Sequence, residues 1–467
     1  MLDLTPSPQS ANDISRDLSQ IVGDGLITGS SAGKLETYVN ALVADTLKKQ
    51  GPIEAFDVAK KLVQLNPNAL NVLLSFYNSV QRNYAASELG RQVANEYTKL
   101  ANDHMSLLCE FFRTPPLHTT TWMLERIGEA ADQTAGVIKA QRMGLLRYKP
   151  VMCLTGRENV ANRAFIPYLE DAFDLLTSPK EIQAFKCQRV LPRFDSYLMR
   201  FSNDIFGHAS EYEPDLSSLL RQNGISTTAF ALKESTKEVA IDFLKQYDLR
   251  DGDDFITLHI REPGYDVADS AHHNERNANP QSFQKAIDYF LTKGLKVVRI
   301  GHEKMSTLEP RKGFIDLTKV NHPGEVDIFL CASNRFYFGS SSGPYSLSCQ
   351  FGKPSLIIEQ LAFKHARPNT LNDMKQFYDV QTDKVVNFEQ LKKLGLDANT
   401  APGPFRENGL RSHEVSEDDI LNSAKEMIGL SFQSKIVKAN EQLNDRKTDL
   451  KINTDAMFTS RSLNLLS

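Results

Sequence analysis

The stretch FYFGSSSGPYSLSCQFGKPSLIIE, residues 336–359, runs through an aromatic β-type segment, three serines framed by glycines, a short helical pattern and a second β-branched segment. That is a strand-turn-helix-strand unit, and its order predicts parallel strands joined by a crossover helix. Serines contribute little to a core. At the handover from strand to helix their hydroxyls and the backbone N–H groups around them would face outward together, which suits an anion such as phosphate.

Outward from this unit the same texture repeats. FITLHI (255–260), LKVVRI (295–300), GFIDL (313–317), RFYFG (335–339) and SLIIE (355–359) are short, β-branched or aromatic, and bounded by turn residues. Strands this uniformly apolar predict a parallel sheet covered on both faces. Between the first two lies a helix with Asn279 as N-cap, Pro280 at its first position, an apolar stripe of Phe283, Ala286, Ile287 and Phe290, and Gly294 just past its end. GEVDIFLCAS and PYSLSCQFG supply two more helices. The order β-α-β-β-α-β-α-β predicts a Rossmann-like domain over 249–402.

Upstream, residues 1–145 read as helical, with Ala55, Ala59, Leu62 and Pro67 at the spacing of a tetratricopeptide unit. Residues 146–248 read as a smaller α/β domain. KPVMCL is its strand, VANRAFIPYLEDAFDLL a helix interrupted by Pro167, and DLSSLLRQNGI a helix stopped by Gly224. STKEVAIDFLKQYDL is a further helix, capped by Ser235 or Thr236, with the apolar set Val239, Ile241, Phe243 and Leu244. Residues 403–467 form a polar tail with one helical pattern, SEDDILNSAKEMIGL, and little periodicity in its last 20 or so positions. The expected fold class is α/β, with two Rossmann-like domains preceded by an all-helical region that is either tetratricopeptide-like or a plain helical bundle.

Composition narrows the function classes. A chain of 467 residues exceeds what one core fills. With 54 basic against 58 acidic residues there is no basic field for a nucleic-acid backbone. The five cysteines are scattered without a C-x-x-C pair. No apolar run reaches the length of a membrane span and the N-terminus has no secretory pattern, so a cytoplasmic location is expected, compatible with peripheral attachment at the inner membrane.

In an open parallel sheet ligands bind beyond the carboxyl ends of the strands. Three such ends carry unusual residues: His259 and Arg261, then Arg299-Ile-Gly-His302, then Ser340, Ser341 and Ser342 before Gly343. A buried arginine requires an anion, so Arg299 is either a phosphate ligand or half of a structural ion pair. Together, two guanidiniums and a serine-lined helix start fit a diphosphate. The Walker and dinucleotide glycine fingerprints are absent. The Asp-x-Asp within DGDD (251–254) precedes a strand and reads as a turn, and no metal site is expected.

LHIREPGY, ERNANPQSFQKAIDYFLTKGLKVVRIG and VDIFLCASNRFYFGSSSGPYSLSCQFGKP resemble a family of bacterial glycosyltransferases of polysaccharide gene clusters. That family combines an H-x-R-[DE] loop, an R-N motif, an R-x-G strand and a G-[ST]-S-S-G turn. More distantly the chain is similar to the fucosyltransferase superfamily of GT-B arrangement. The resemblance covers roughly 148–360 and implies a hexosyltransferase-like enzyme; arginines can stabilise the departing diphosphate without a metal, and a carboxylate opposite the leaving group fits an inverting displacement. Its donor would be a GDP- or UDP-sugar, and its acceptor a glycan or surface polysaccharide. The resemblance carries contact with the donor diphosphate to Arg261 and to Ser340, Ser341 and Ser342, and acceptor binding to 148–245; His259, Arg276, Arg299, Gly301 and Gly343 are further residues expected around the donor, with a core histidine the alternative for His259. The acidic residue that eukaryotic fucosyltransferases carry three positions after the arginine is replaced by Gly264. For the base that takes the acceptor proton, Glu262 is expected first, then Asp266 and Glu158; Glu262 as a simple partner of Arg299 is the alternative. A competing expectation is a helical-repeat adaptor whose α/β part binds a nucleotide or glycan without turnover, with a protein partner on the N-terminal helices.

Overall fold

A computed structural model describes residues 122–145, 149–182, 198–200, 206–263, 276–362, 366–396, 402–430, 456–463 and 465, together with Thr46, Lys49, Gln50, Glu54, Ala55, Asp57 and Val58. The tetratricopeptide-like reading of the N-terminal region lies almost wholly outside the described residues. The chain divides into two compact units.

The first unit comprises residues 1–120, 148–156 and 174–208. Its described strands are short. Val151–Cys153 pairs in parallel with Asp174–Leu176, and Leu198–Arg200 pairs antiparallel with Phe206–His208. The segment DLL, expected at the end of a helix, is thus a strand. Pro167, in the second unit, sits in the first turn of the short helix Ile166–Leu169, which ends before that strand begins.

The second unit contains residues 121–147, 157–173 and 209–467. Helices α1 (Ile127–Arg142), α2 (Ala209–Gln222) and α3 (Glu234–Leu244) lead into the sheet. There follow strand β1 (Phe255–His259), helix α4 (Gln284–Thr292), strands β2 (Lys296–Arg299) and β3 (Phe314–Asp316), and helix α5 (Gly324–Ser333). Next come β4 (Phe336–Ser340), α6 (Gly343–Gln350), β5 (Ser355–Gln360), β6 (Thr370–Met374), α7 (Glu417–Gly429) and β7 (Met457–Phe458). The strands form one seven-stranded sheet in the order β7-β6-β5-β4-β1-β2-β3, and every neighbouring pair is parallel. From β1 the chain builds outward through β2 and β3, then crosses to β4 on the other side. The switch point of this doubly wound sheet therefore lies between β1 and β4.

Side-chain alternation explains why the strands are buried throughout. Ile256 and Leu258 of β1 join Phe336 and Phe338 of β4 in a core with Phe283, Phe290 and the α7 residues Ile420, Ala424 and Met427. On the other face, Thr257 Oγ1 donates to the Leu330 carbonyl of α5, and Tyr337 packs on Tyr345 of α6. The α4 region begins as expected: Asn279 accepts from Gln281 N–H at 3.1 Å, a 3-10 turn over Pro280–Phe283 follows, and Gly294 turns left-handed at φ +76°.

Helix α3 departs from its expected cap and stripe. It starts at Glu234 without a side-chain cap, and it buries Thr236, Ala240 and Leu244 while Val239 is exposed. The tail contributes more order than its composition suggests. Ser416 caps α7 by accepting from Asp419 N–H, and residues 457–458 add the edge strand β7. Among the described residues no helix is long and apolar enough to cross a membrane.

Candidate functional site

The serine turn lies at the switch point. Gly339, at φ +149°, is required there because a Cβ would fall 1.9 Å from the His259 carbonyl oxygen. That close approach brings the ends of β1 and β4 together. Ser340 Oγ accepts the Arg261 N–H at 2.7 Å. The Tyr337 hydroxyl lies 2.8 Å from Ser342 Oγ, 3.1 Å from the Ser340 carbonyl and 3.2 Å from that of His259, so one buried phenol pins both strands and the turn. Ser340 and Ser342 are buried by these contacts, whereas Ser341 and Gly343 are half-buried at the rim.

His259 is buried on the α5 and α6 face, and its Nδ1 has no hydrogen-bond partner among the described residues. Burial, reinforced by the positive charges of Arg261, Arg299 and His302, pushes its pKa down to about 3. The imidazole is therefore neutral at physiological pH. Arg261 stands half-buried just past β1, and its carbonyl accepts the Ala278 N–H at 2.9 Å. That bond draws in the segment carrying Arg276, two residues upstream.

Arg299 is fully buried. Its Nη1 donates to Asp316 Oδ2 at 3.0 Å and to the Ser306 carbonyl at 2.6 Å, and its Nη2 donates to Glu262 Oε1 at 2.6 Å. Of the two alternatives for Arg299, the geometry is that of an ion pair within the protein. Glu262 Oε2 accepts from Ser306 N–H at 2.8 Å and Oγ at 2.5 Å, so both carboxylate oxygens are engaged. Gly301, at φ +156°, lies against Met305: a Cβ there would meet Met305 Sδ at 2.2 Å, so that the flexible Met305 side chain would have to move.

Residues absent from the sequence reading complete the site. The N-terminus of α1 sits on that of α6: a Cβ on Gly128 would lie 2.7 Å from Gly343 Cα, and one on Gly343 would lie 2.8 Å from Ile127 Cγ2. The two helices run side by side in the same sense, with Gln350 donating to Asp132 further along. Asn162 Nδ2 donates to the Gly324 carbonyl at the start of α5, which brings residues 157–163 to the same sheet edge. Glu158, half-buried, lies four residues before it, and its carbonyl accepts from Arg163. Asp266 lies outside the described residues. Among the described residues no group of three or more His, Cys, Asp or Glu could hold a metal ion. DGDD sits at the amino end of β1, where Asp253 accepts from Arg250 N–H and Lys296, and Asp254 pairs with Arg335.

No family model matches the sequence. No curated protein matches it either. Among solved structures the chain is similar to "the glycosyl transferase family 9 from Veillonella parvula DSM 2008", with 15% identity and a TM-score of 0.40 over 67% of this chain and 96% of that one. At that identity and score the likeness carries no correspondence of residues.

Proposed function

We propose that this protein is a glycosyltransferase that moves a sugar from a GDP- or UDP-sugar onto a glycan or surface polysaccharide acceptor. The observation that carries this reading is the serine turn at the switch point, fastened to β1 by the bond from Arg261 N–H to Ser340 Oγ. Two helix N-termini, those of α1 and α6, meet beside it. Arg261 stands beside it, and the segment carrying Arg276 is joined to Arg261 through Ala278. Backbone N–H groups, helix dipoles and guanidiniums are what a departing nucleoside diphosphate needs. His259, kept neutral by burial, offers a ring nitrogen to the donor without adding charge. Because Glu262 is engaged on both oxygens, the base that receives the acceptor proton is assigned to Glu158 or Asp266.

The test is a panel of nucleotide sugars read by thermal stabilisation and by release of nucleoside diphosphate. A GDP- or UDP-sugar should raise the melting temperature, with slow release of the diphosphate as water replaces the acceptor. No stabilisation by any member would defeat the reading. The engaged Glu262 carboxylate favours one other reading, a module that binds the nucleotide without turnover. Stabilisation with no release, even in the presence of glycan acceptors, would support it.

A further inference from the structure

The loops after β1, β2 and β3 are joined beneath the surface by a continuous polar chain. Thr318 donates its N–H and hydroxyl to Asp316 Oδ1 at 3.0 and 2.6 Å, and Asp316 Oδ2 receives Arg299. Arg299, Glu262 and Ser306 then close a ring. The guanidinium donates to the Glu262 carboxylate and to the Ser306 carbonyl, while Ser306 returns its N–H and hydroxyl to Glu262. Packing alone does not demand such a ring, since apolar residues of similar volume stabilise an interior as well or better. What the ring fixes is the backbone of residue 262, and its neighbour Arg261 is the residue whose N–H meets Ser340 Oγ and whose carbonyl meets Ala278.

We propose that Glu262, Arg299 and Ser306 are positioning residues that hold Arg261 against the serine turn. This rests on the turn being the diphosphate site, but its test separates the two ideas. Simple electrostatics and positioning predict opposite signs for Glu262→Gln. Removing a carboxylate beside an anion site, with Arg299 partly released, should tighten anion binding. Loss of positioning should weaken it.

The probe is inorganic pyrophosphate, titrated well below the melting temperature, and the expected result is affinity weakened at least fivefold. In parallel, hydrogen exchange of peptides spanning 255–263 is followed without ligand. The Arg261 amide should exchange at least tenfold faster in Glu262→Gln, and faster to a smaller degree in Ser306→Ala, which keeps every charge and stands in if the first variant does not fold. Tighter or unchanged pyrophosphate binding in Glu262→Gln overturns the proposal, as does unchanged exchange in the folded variants. If the parent protein binds no pyrophosphate, the diphosphate reading fails, and the exchange measurement still decides whether the ring positions Arg261.

Discussion

Ser340 and Ser342 commit their hydroxyls to the Arg261 N–H and to Tyr337, which leaves Ser341 as the rim serine of the turn. If the turn cradles phosphate, most of the binding comes from backbone N–H groups, and one hydroxyl adds about 0.5–1.5 kcal/mol. Ser341→Ala should then weaken donor binding severalfold, whereas Ser341→Asp should nearly abolish it by placing a carboxylate in the anion site. Equal affinities for both variants, at unchanged melting temperature, would reject the phosphate role. His259 gives a second prediction at this scale. Its pKa falls from an ordinary 6.5 to about 3 on folding, so the unfolded chain binds a proton that the folded one refuses. Its contribution is present above pH 6.5 and is lost as pH falls toward 3, by up to about 1.4 kcal/mol per pH unit. His259→Asn should flatten the acid limb of the stability curve, and parallel limbs for parent and variant in urea titrations between pH 7 and 4.5 would contradict this.

At the scale of elements, the contact between α1 and α6 depends on two glycines. Gly128→Ala would put a methyl 2.7 Å from the backbone of Gly343, where no flexible side chain can yield. Overpacking of this kind costs about 1–3 kcal/mol, partly offset by the better helix propensity of alanine. The unfolding midpoint should fall, and, if the turn is the diphosphate site proposed above, donor affinity should fall with it as the α1 N-terminus moves away; an unchanged midpoint would mean that the helices separate freely. The same contact shows where sequence reading stops. Strands β1 to β5, the α4 cap and the placing of His259, Arg261 and the serine turn at one edge were legible because each is written in a local run: β-branched residues, an Asn-Pro start, glycines at turns. Gly128 carries no such mark, since its meaning depends on a helix more than two hundred residues away. Ser306, an ordinary loop serine by spacing, was equally silent until Glu262 folded onto it. Helix α3 was misread at its stripe because its apolar residues do not mark the buried face: the helix packs on α5 and buries Thr236, Ala240 and Leu244 while Val239 stays exposed.

At the scale of the whole second unit, the sheet is finished by the end of the chain. Residues 456–465 add β7, bury Phe458 and Leu465 in a small cluster with Met374 and Phe388, and send Arg461 onto Asp373 at the end of β6. Asp373 is fully buried and otherwise accepts only Ser423 Oγ, so Arg461 is its one compensating charge among the described partners. Removing a single partner of a buried pair costs about 3–5 kcal/mol, because the remaining charge stays out of water. Arg461→Met, which keeps the aliphatic bulk, is expected to destabilise the unit by that amount at pH 7. The loss should depend on pH in a definite direction. Burial already raises the Asp373 carboxyl above its ordinary range, against the opposing pull of Arg461, and without the guanidinium it rises further. A carboxyl whose folded pKa is raised penalises folding above that pKa and is relieved as pH falls through it. The difference between parent and Arg461→Met should therefore shrink as the pH is lowered from 7 toward 4. Urea unfolding of both proteins across that range checks it: a pH-independent difference would assign the role of Arg461 to packing alone, and no difference at pH 7 would mean that the end of the chain does not hold the sheet.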